Sequence, residues 1–302
     1  MKHTSVRQLP SPHRSRFKGY NLSLAAPLRR GKGSYIRQMM NQKFIEECAL
    51  KAEEAAGAAS RVLLNAIAEA DEDLNIESKK DGSLVSDADY ESQKVIASAL
   101  APLAIPILSE EASIPDYEER KAWEYYWLVD PLDGTESFLS NRSGFAVNIA
   151  LCDKTGPILG VVADPLTNTI YKGVLGSGFS LSQLNGSSSR NIKLSSSTKA
   201  IKPYTLVTSW LETAPISKLC PPWIKSTDVV ARPVSGSLKF CELAMGRAEI
   251  HARTGTYMEW DCAAGDAILR SVGIDVYDLN THKRIEYNSK DLRVHGLYTS
   301  RV

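Results

Sequence analysis

No stretch of this chain reaches the ~18 consecutive apolar residues that a membrane-spanning helix needs, and no short apolar core of a secretory signal stands near its start. Cysteine is scarce and scattered. Cys48, Cys152, Cys220, Cys241 and Cys262 are odd in number, widely spaced and without a C-x-x-C pair, which argues against a disulfide framework and against a zinc site. A reducing, cytoplasmic compartment suits such a set, and a peripheral position at the inner membrane is compatible with it. Histidine offers no cluster either: His3 and His13 lie near the start, and His251, His282 and His295 are dispersed. Net charge is almost absent at +1, so nothing in the total suggests a nucleic-acid polymer as partner.

The small total conceals an asymmetry. Residues 1–40 hold nine basic residues and no Asp or Glu, leaving 27 Lys and Arg against 35 Asp and Glu in residues 41–302. The segment 1–40 reads as a basic tail outside the fold: a disordered arm, sequence ahead of a start at Met39 or Met40, or an organellar transit peptide. With 302 residues and 43% hydrophobic content, the remainder can bury a large core.

Residues 41–70 are rich in Ala, Glu and Leu, with Phe44, Ala49, Ala52, Ala56, Val62, Leu63 and Ile67 near helical spacing, and they predict a long helix. A polar turn over 78–89 leads to a second helix over 90–100. Aromatic and β-branched runs predict strands at 105–108, 123–129, 145–151, 158–164, 169–174, 204–208 and 228–234, with helices at 237–245 and 261–272. The polar, Ser-rich stretch 186–198 marks a boundary. It separates an N-terminal α+β half, 41–195, from a C-terminal α/β half, 196–302.

Chemistry concentrates in Asp130-Pro131-Leu132-Asp133-Gly134-Thr135, directly after a predicted strand. Two carboxylates three residues apart, with Pro131 restricting the backbone and Gly134 permitting a tight turn, can face one spot. Thr135 stands where a helix can begin. Glu110 ends the preceding apolar run, and Asp261 follows Trp260 and precedes the small residues Ala263-Ala264-Gly265. Singly, Glu110 reads as a solvated strand-end charge and Asp261 as a helix cap. Together, four carboxylates at element ends form a hard oxygen-donor set suited to Mg²⁺ and not to zinc.

The run 130–135 resembles the D-P-[IL]-D-G-T signature of the inositol monophosphatase superfamily, and Trp260-Asp261-Cys262-Ala263-Ala264-Gly265 resembles its W-D-x-A-A-G signature. Ser109-Glu110-Glu111 is similar to the family's acidic pair. Residues 79–89 are similar to its K-x-D-x-S-P-V-T-x-A-D stretch, with Leu84 where Pro is usual. The resemblance spans roughly residues 42–300. It implies a layered α-β-α-β-α fold, with an antiparallel first sheet, a mixed second sheet and the metal site between them. It further implies that Glu110, Asp130, Asp133, Asp261 and the Leu132 carbonyl hold two or three Mg²⁺ ions, and that Asp89 and Thr135, with Glu110, activate the attacking water.

Within that superfamily, Gly236-Ser237-Leu238-Lys239-Phe240, Arg253 and Met258-Glu259-Trp260-Asp261 resemble the CysQ-type 3′(2′),5′-bisphosphate nucleotidase branch, although Ala252 stands where Pro commonly precedes the arginine. The resemblance implies a small nucleotide bisphosphate, adenosine 3′,5′-bisphosphate, as substrate, inhibition by Li⁺ and a place in sulfur metabolism. It sets Lys79, Gly134, Thr135, Ser237, Lys239, Arg253 and Asp261 around that substrate. Lys239 also reads as a solvated helix face, Arg253 as a structural ion pair, and Trp260 as a prop behind Asp261. Competing readings are an inositol or sugar-phosphate phosphatase and a non-catalytic nucleotide- or metal-binding relative. Monomer and homodimer both remain open at this point.

Overall fold

The Ala-rich segment after residue 40 is helical, as its composition demands, in a computed structural model that describes residues 32–69, 76–78, 84–141, 144–184, 189–192 and 200–302. Helix α1 (Lys32–Glu69) starts nine residues before the expected position, inside the segment read as tail, because Gln38, Met39, Met40 and Gln42 are good helix formers. Packing divides the chain at Lys43, with the opening turns of α1 before it. The description below concerns Phe44–Val302.

Two short strands, β1 (Ile76–Ser78) and β2 (Leu84–Ser86), pair antiparallel where a polar turn was expected, and α2 (Asp87–Leu100) follows, three residues earlier than its apolar spacing suggested. A seven-stranded sheet comes next. Its strands are β3 (Ile107–Ser109), β4 (Tyr125–Asp133), β5 (Ala146–Asp153), β6 (Gly156–Asp164), β7 (Thr169–Val174), β8 (Gly178–Gln183) and β9 (Ser189–Ile192), in spatial order. Short helices α3 (Tyr117–Arg120) and α4 (Thr135–Asn141) flank β4. Only the β3–β4 pair is parallel.

The second sheet has five strands in the order β11-β10-β12-β14-β13: β10 (Tyr204–Thr208), β11 (Val229–Pro233), β12 (Ile250–Met258), β13 (Val276–Asp278) and β14 (Arg293–Ser300). β10 is parallel to β11 and β12, and the remaining pairs are antiparallel, which makes this sheet mixed. Helices α5 (Ile216–Leu219), α6 (Leu238–Ala244) and α7 (Glu259–Ser271) complete the order.

Alternation along the strands builds the layers. Trp127, Val129, Val147, Ile149, Leu151 and Val161 bury against Ala52, Ala55, Ala56 and Leu63 of α1 and Ile96 of α2. From the opposite face, Tyr126, Leu128, Ala146, Ala150 and Val162 join Phe240, Leu243, Ala263, Ala264 and Ile268 of α6 and α7. Leu206, Ile250, Ala252 and Tyr298 of the second sheet meet Leu219 of α5. The result is the α-β-α-β-α layering. Its middle helical layer sits close to the first sheet because Gly160 and Gly173 lack side chains: a Cβ at either would collide with the α7 backbone at Ala264 or Ile268.

Candidate active site

The Asp130–Thr135 run is not a simple turn after β4. Pairing with β5 continues to Asp133, with a register shift between Asp130 and Asp133. The two residues between them, Pro131 and Leu132, bulge, as a proline without an N–H must in a paired strand. The Leu132 N–H donates to Asp130 Oδ1 at 3.0 Å, closing an Asx turn. Ser92 Oγ of α2 donates to the Pro131 carbonyl at 2.7 Å and pins the bulge from outside.

One oxygen each of Glu110, Asp130 and Asp261 lies within 4.8 Å of the others. Glu110 sits just past β3, its N–H donating to Val129 of β4 at 3.3 Å. Asp261 stands in the first turn of α7, with Oδ2 accepting the Met258 N–H at 2.9 Å. Burial holds the Asp130 carboxyl well above the usual range, and Glu110, Asp133 and Asp261 push it further. Asp261 is raised in the same way, by desolvation, then by Asp133 and Glu110. Like charges converging out of water call for a cation, and a set made only of carboxylate oxygens fits a hard divalent one. These residues therefore fit a metal.

Asp133 stands beside this group rather than among its three closest members, within electrostatic reach of both Asp130 and Asp261. Its Oδ2 accepts the Asn148 Nδ2 at 3.1 Å and the backbone N–H of Ser237. Gly236 lies against the same carboxylate in a left-handed conformation, φ 52°. Ser235 Oγ adds a 3.0 Å contact with Ser137 Oγ of α4. The loop 235–237 thus ties the second sheet to the bulge of the first.

Thr135 opens α4, and its Oγ1 lies 3.3 Å from Asp89 Oδ1 and 3.1 Å from the Leu132 carbonyl oxygen. The single hydroxyl proton serves one of these acceptors at a time. Asp89 is buried in the first turn of α2, so residues 46 positions apart meet here. The Leu132 carbonyl consequently points toward Thr135.

The residues assigned to substrate are placed unevenly. Arg253 of β12 lies with its guanidinium carbon 4.2 Å from the Tyr257 ring centroid and in the field of Asp261 and Asp133. Lys239 is neither a solvated helix face nor at an open surface: it is buried, and its Nζ donates to the carbonyls of Gly236 at 2.5 Å and Val234 at 3.3 Å. Burial lowers its pKa to about 8. Ser237 Oγ donates to Asn148 Oδ1 at 2.5 Å. Gly134, φ 90°, lies against the Gly144 carbonyl. Trp260 is buried in the middle layer, as a prop would be. Lys79 lies outside the described residues, with Asp81 and Ser83.

Sequence reasoning missed Asn148, Ser92 and Ser235. It also left Glu259 without a task, although this buried carboxylate accepts the N–H groups of Asn288 at 2.6 Å and Ser289 at 2.8 Å and the Ser289 hydroxyl at 2.6 Å. A polar residue within an apolar strand was the one visible signal for Asn148.

A model of the inositol monophosphatase family matches residues 45–299. The chain belongs to that family. It is 34% identical over 220 residues to the 3′(2′),5′-bisphosphate nucleotidase CysQ of Shigella flexneri, covering 72% of this chain and 85% of that protein. Against the CysQ of Escherichia coli K12 the identity is 33% with the same coverage. Among solved structures, CysQ from Bacteroides thetaiotaomicron, a bacterial member of the inositol monophosphatase family, superposes with a TM-score of 0.71 at 29% identity, covering 84% of this chain and 97% of that one. An inositol monophosphatase from Anabaena shares the fold at a TM-score of 0.62 and 23% identity, over 85% and 91%. The layered fold is thus that of the inositol monophosphatase family, and among the described residues no helix is long and apolar enough to cross a membrane.

Proposed function

We propose that this chain is a Mg²⁺-dependent 3′(2′),5′-bisphosphate nucleotidase, a phosphoric monoester hydrolase that converts adenosine 3′,5′-bisphosphate to AMP and phosphate. The 3′-phosphate of 3′-phosphoadenosine 5′-phosphosulfate would be a second target. The observation that carries the reading is the convergence of Glu110, Asp130 and Asp261 next to the Asp89–Thr135 pair. The names of the relatives at 33–34% identity favour the nucleotide over an inositol phosphate.

Glu110, Asp130, Asp261, Asp133 and the Leu132 carbonyl would hold two or three ions. Bound there, divalent ions would neutralise the phosphate and lower the pKa of a coordinated water. Thr135 Oγ1, its proton directed to Asp89 Oδ1, presents lone pairs that accept a hydrogen bond from the attacking water and orient it. Asp89 is the sink for the proton relayed through Thr135. The water oxygen–phosphorus bond forms in line with the ribose 3′-oxygen–phosphorus bond that breaks, and the departing oxygen takes a proton from a solvent water, balanced by the proton that Asp89 later returns to solvent. Arg253 would take the 5′-phosphate, a second anion held away from the carboxylates. Lys239 is assigned a supporting task, holding the Gly236 carbonyl. Five unpaired cysteines support a cytoplasmic location.

The test is phosphate release from adenosine 3′,5′-bisphosphate and from inositol 1-phosphate in Mg²⁺, with and without Li⁺. Faster turnover of the nucleotide, suppressed by Li⁺ and reduced about 10²–10⁴-fold in Thr135→Val, is the expected result. Preference for inositol 1-phosphate would remove the nucleotide assignment and the task given to Arg253. No turnover of either by folded protein would remove the catalytic reading.

A further inference from the structure

Asn148 is the one polar side chain between Ala146 and Cys152, and it is fully buried. Its neighbours Val147 and Ile149 turn toward α1 and α2, whereas Ala146, Ala150 and Cys152 share its face toward the middle helical layer. In register it stands directly across from Asp130. A primary amide in such a strand is retained at a cost unless its groups are bonded, and here each end of the amide has a defined partner. Nδ2 donates to Asp133 Oδ2 at 3.1 Å, and Oδ1 accepts the Ser237 hydroxyl at 2.5 Å. In this orientation the amide offers its donor to the carboxylate and its acceptor to the hydroxyl. Ser237 closes the ring by donating its backbone N–H to the same Asp133 oxygen.

We infer that Asn148 is a positioning residue for Asp133: with Ser237 it holds one carboxylate oxygen, sets the plane of that carboxylate beside Glu110, Asp130 and Asp261, and links the loop 235–237 to the bulge of β4. This inference rests on the reading of those acids as a metal site. Groups that orient ligands in this way alter metal affinity or activity about 10–100-fold when removed. Ser237 Oγ touches Asp133 only through Asn148, so its contribution passes through the amide.

The test is calorimetric titration of Mg²⁺ into the full chain without substrate, for wild type, Asn148→Ala, Ser237→Ala and the double variant, with kcat and KM measured in parallel. Mg²⁺ affinity is expected to fall about 10–100-fold in Asn148→Ala and several-fold in Ser237→Ala. The double variant should be no weaker than Asn148→Ala, because the second change removes a group that acts through the first. A purely structural amide would lower the melting temperature and give additive effects with unchanged Mg²⁺ affinity. Affinity within about twofold of wild type in folded Asn148→Ala overturns the inference. If that variant does not fold, unchanged affinity in Ser237→Ala overturns it instead. A wild type that binds Mg²⁺ but leaves the nucleotide intact removes only the substrate assignment, and one that binds no Mg²⁺ removes both.

Discussion

Replacing Gly236 by alanine tests whether the loop 235–237 sets the Asp133 carboxylate. A Cβ at this position would stand 2.7 Å from Asp133 Oδ2, 2.9 Å from Cγ and 3.0 Å from Oδ1. The carboxylate cannot swing aside cheaply, because its side chain is short and Oδ2 is bonded to Asn148 and Ser237. The left-handed backbone, φ 52°, adds roughly 1–2 kcal/mol for any residue with a Cβ. Losing one hydrogen bond to an ionised group adds about 1.5–3 kcal/mol. Stability should fall by roughly 2.5–5 kcal/mol in urea denaturation. Catalysis should fall further, since a displacement of about 1 Å at a reacting centre can cost about 10²-fold in rate. Gly178→Ala is the control: its φ of 101° carries a backbone cost, but nothing lies within 4 Å of the added carbon. It should lose only the backbone share of stability, about 1–3 kcal/mol, and keep full phosphate release. If Gly236→Ala proves as benign as Gly178→Ala in both assays, the steric account of the loop is wrong.

Two further perturbations address the frame around the site. Asp266 of α7 is fully buried, and burial raises its carboxyl to about 7 despite Arg284 Nη2 at 3.7 Å and the Tyr287 hydroxyl at 3.0 Å. The folded chain therefore holds this proton where the unfolded chain has lost it, so stability should fall as pH rises from about 4 through about 7 and then level off. Between pH 5 and pH 8 this group should cost about 2–3 kcal/mol, and urea denaturation of Asp266→Asn should show a flatter pH slope; equal slopes would refute the assignment. Gly160→Ala drives a methyl into the Ala264 carbonyl of α7. Overpacking there should destabilise by about 1–3 kcal/mol or more, with a lower melting temperature as the readout and an unchanged one as the refutation.

The parts of the site legible in sequence were those carried by short-range pattern. The run 130–135, the run 260–265 and Glu110 at a strand end stand out because carboxylate, turn residue and small packing residue occur within a few positions. Strands β8 and β9 and the three late strands β12 to β14 were not read, for a physical reason. Ile250–Met258 holds Arg253, Thr254, Gly255 and Thr256, and Arg293–Ser300 opens with exposed Arg293 and His295 and is interrupted by Gly296 before its buried run. Their strand character comes from pairing with each other across about 40 residues, with a bulge between Arg253 and Thr256, and local propensity carries little of that. The task of Asn148 was hidden for a related reason, although its polarity within an apolar strand was visible: its partners lie 15 and 89 residues away. For Lys239 the solvated-face reading fails: a charge at the start of a helix suggested solvent, whereas the side chain turns inward to the carbonyls of its own loop.

The small residues of the second signature unite packing with chemistry. Gly265 lies where any Cβ would enter the Phe240 ring, and Ala264 meets Gly160 of β6 with its carbonyl. Helix α7 can therefore occupy only the position in which α6 and the first sheet both touch it closely. That position fixes Asp261 in the first turn of the same helix, about one turn from Gly265, and brings it against Glu110 and Asp130. Phe240, which locks Gly265, belongs to the helix whose leading loop carries Ser237 to Asp133. A change that loosens the α6–α7 contact would thus shift Asp261 and the Asp133 clasp together, although none of the residues altered belongs to the acidic cluster. Interiors packed as densely as organic crystals transmit such shifts rather than absorb them, so the placement of Asp261 and of the Asp133 clasp depends on the close packing of Gly160, Gly265 and Phe240.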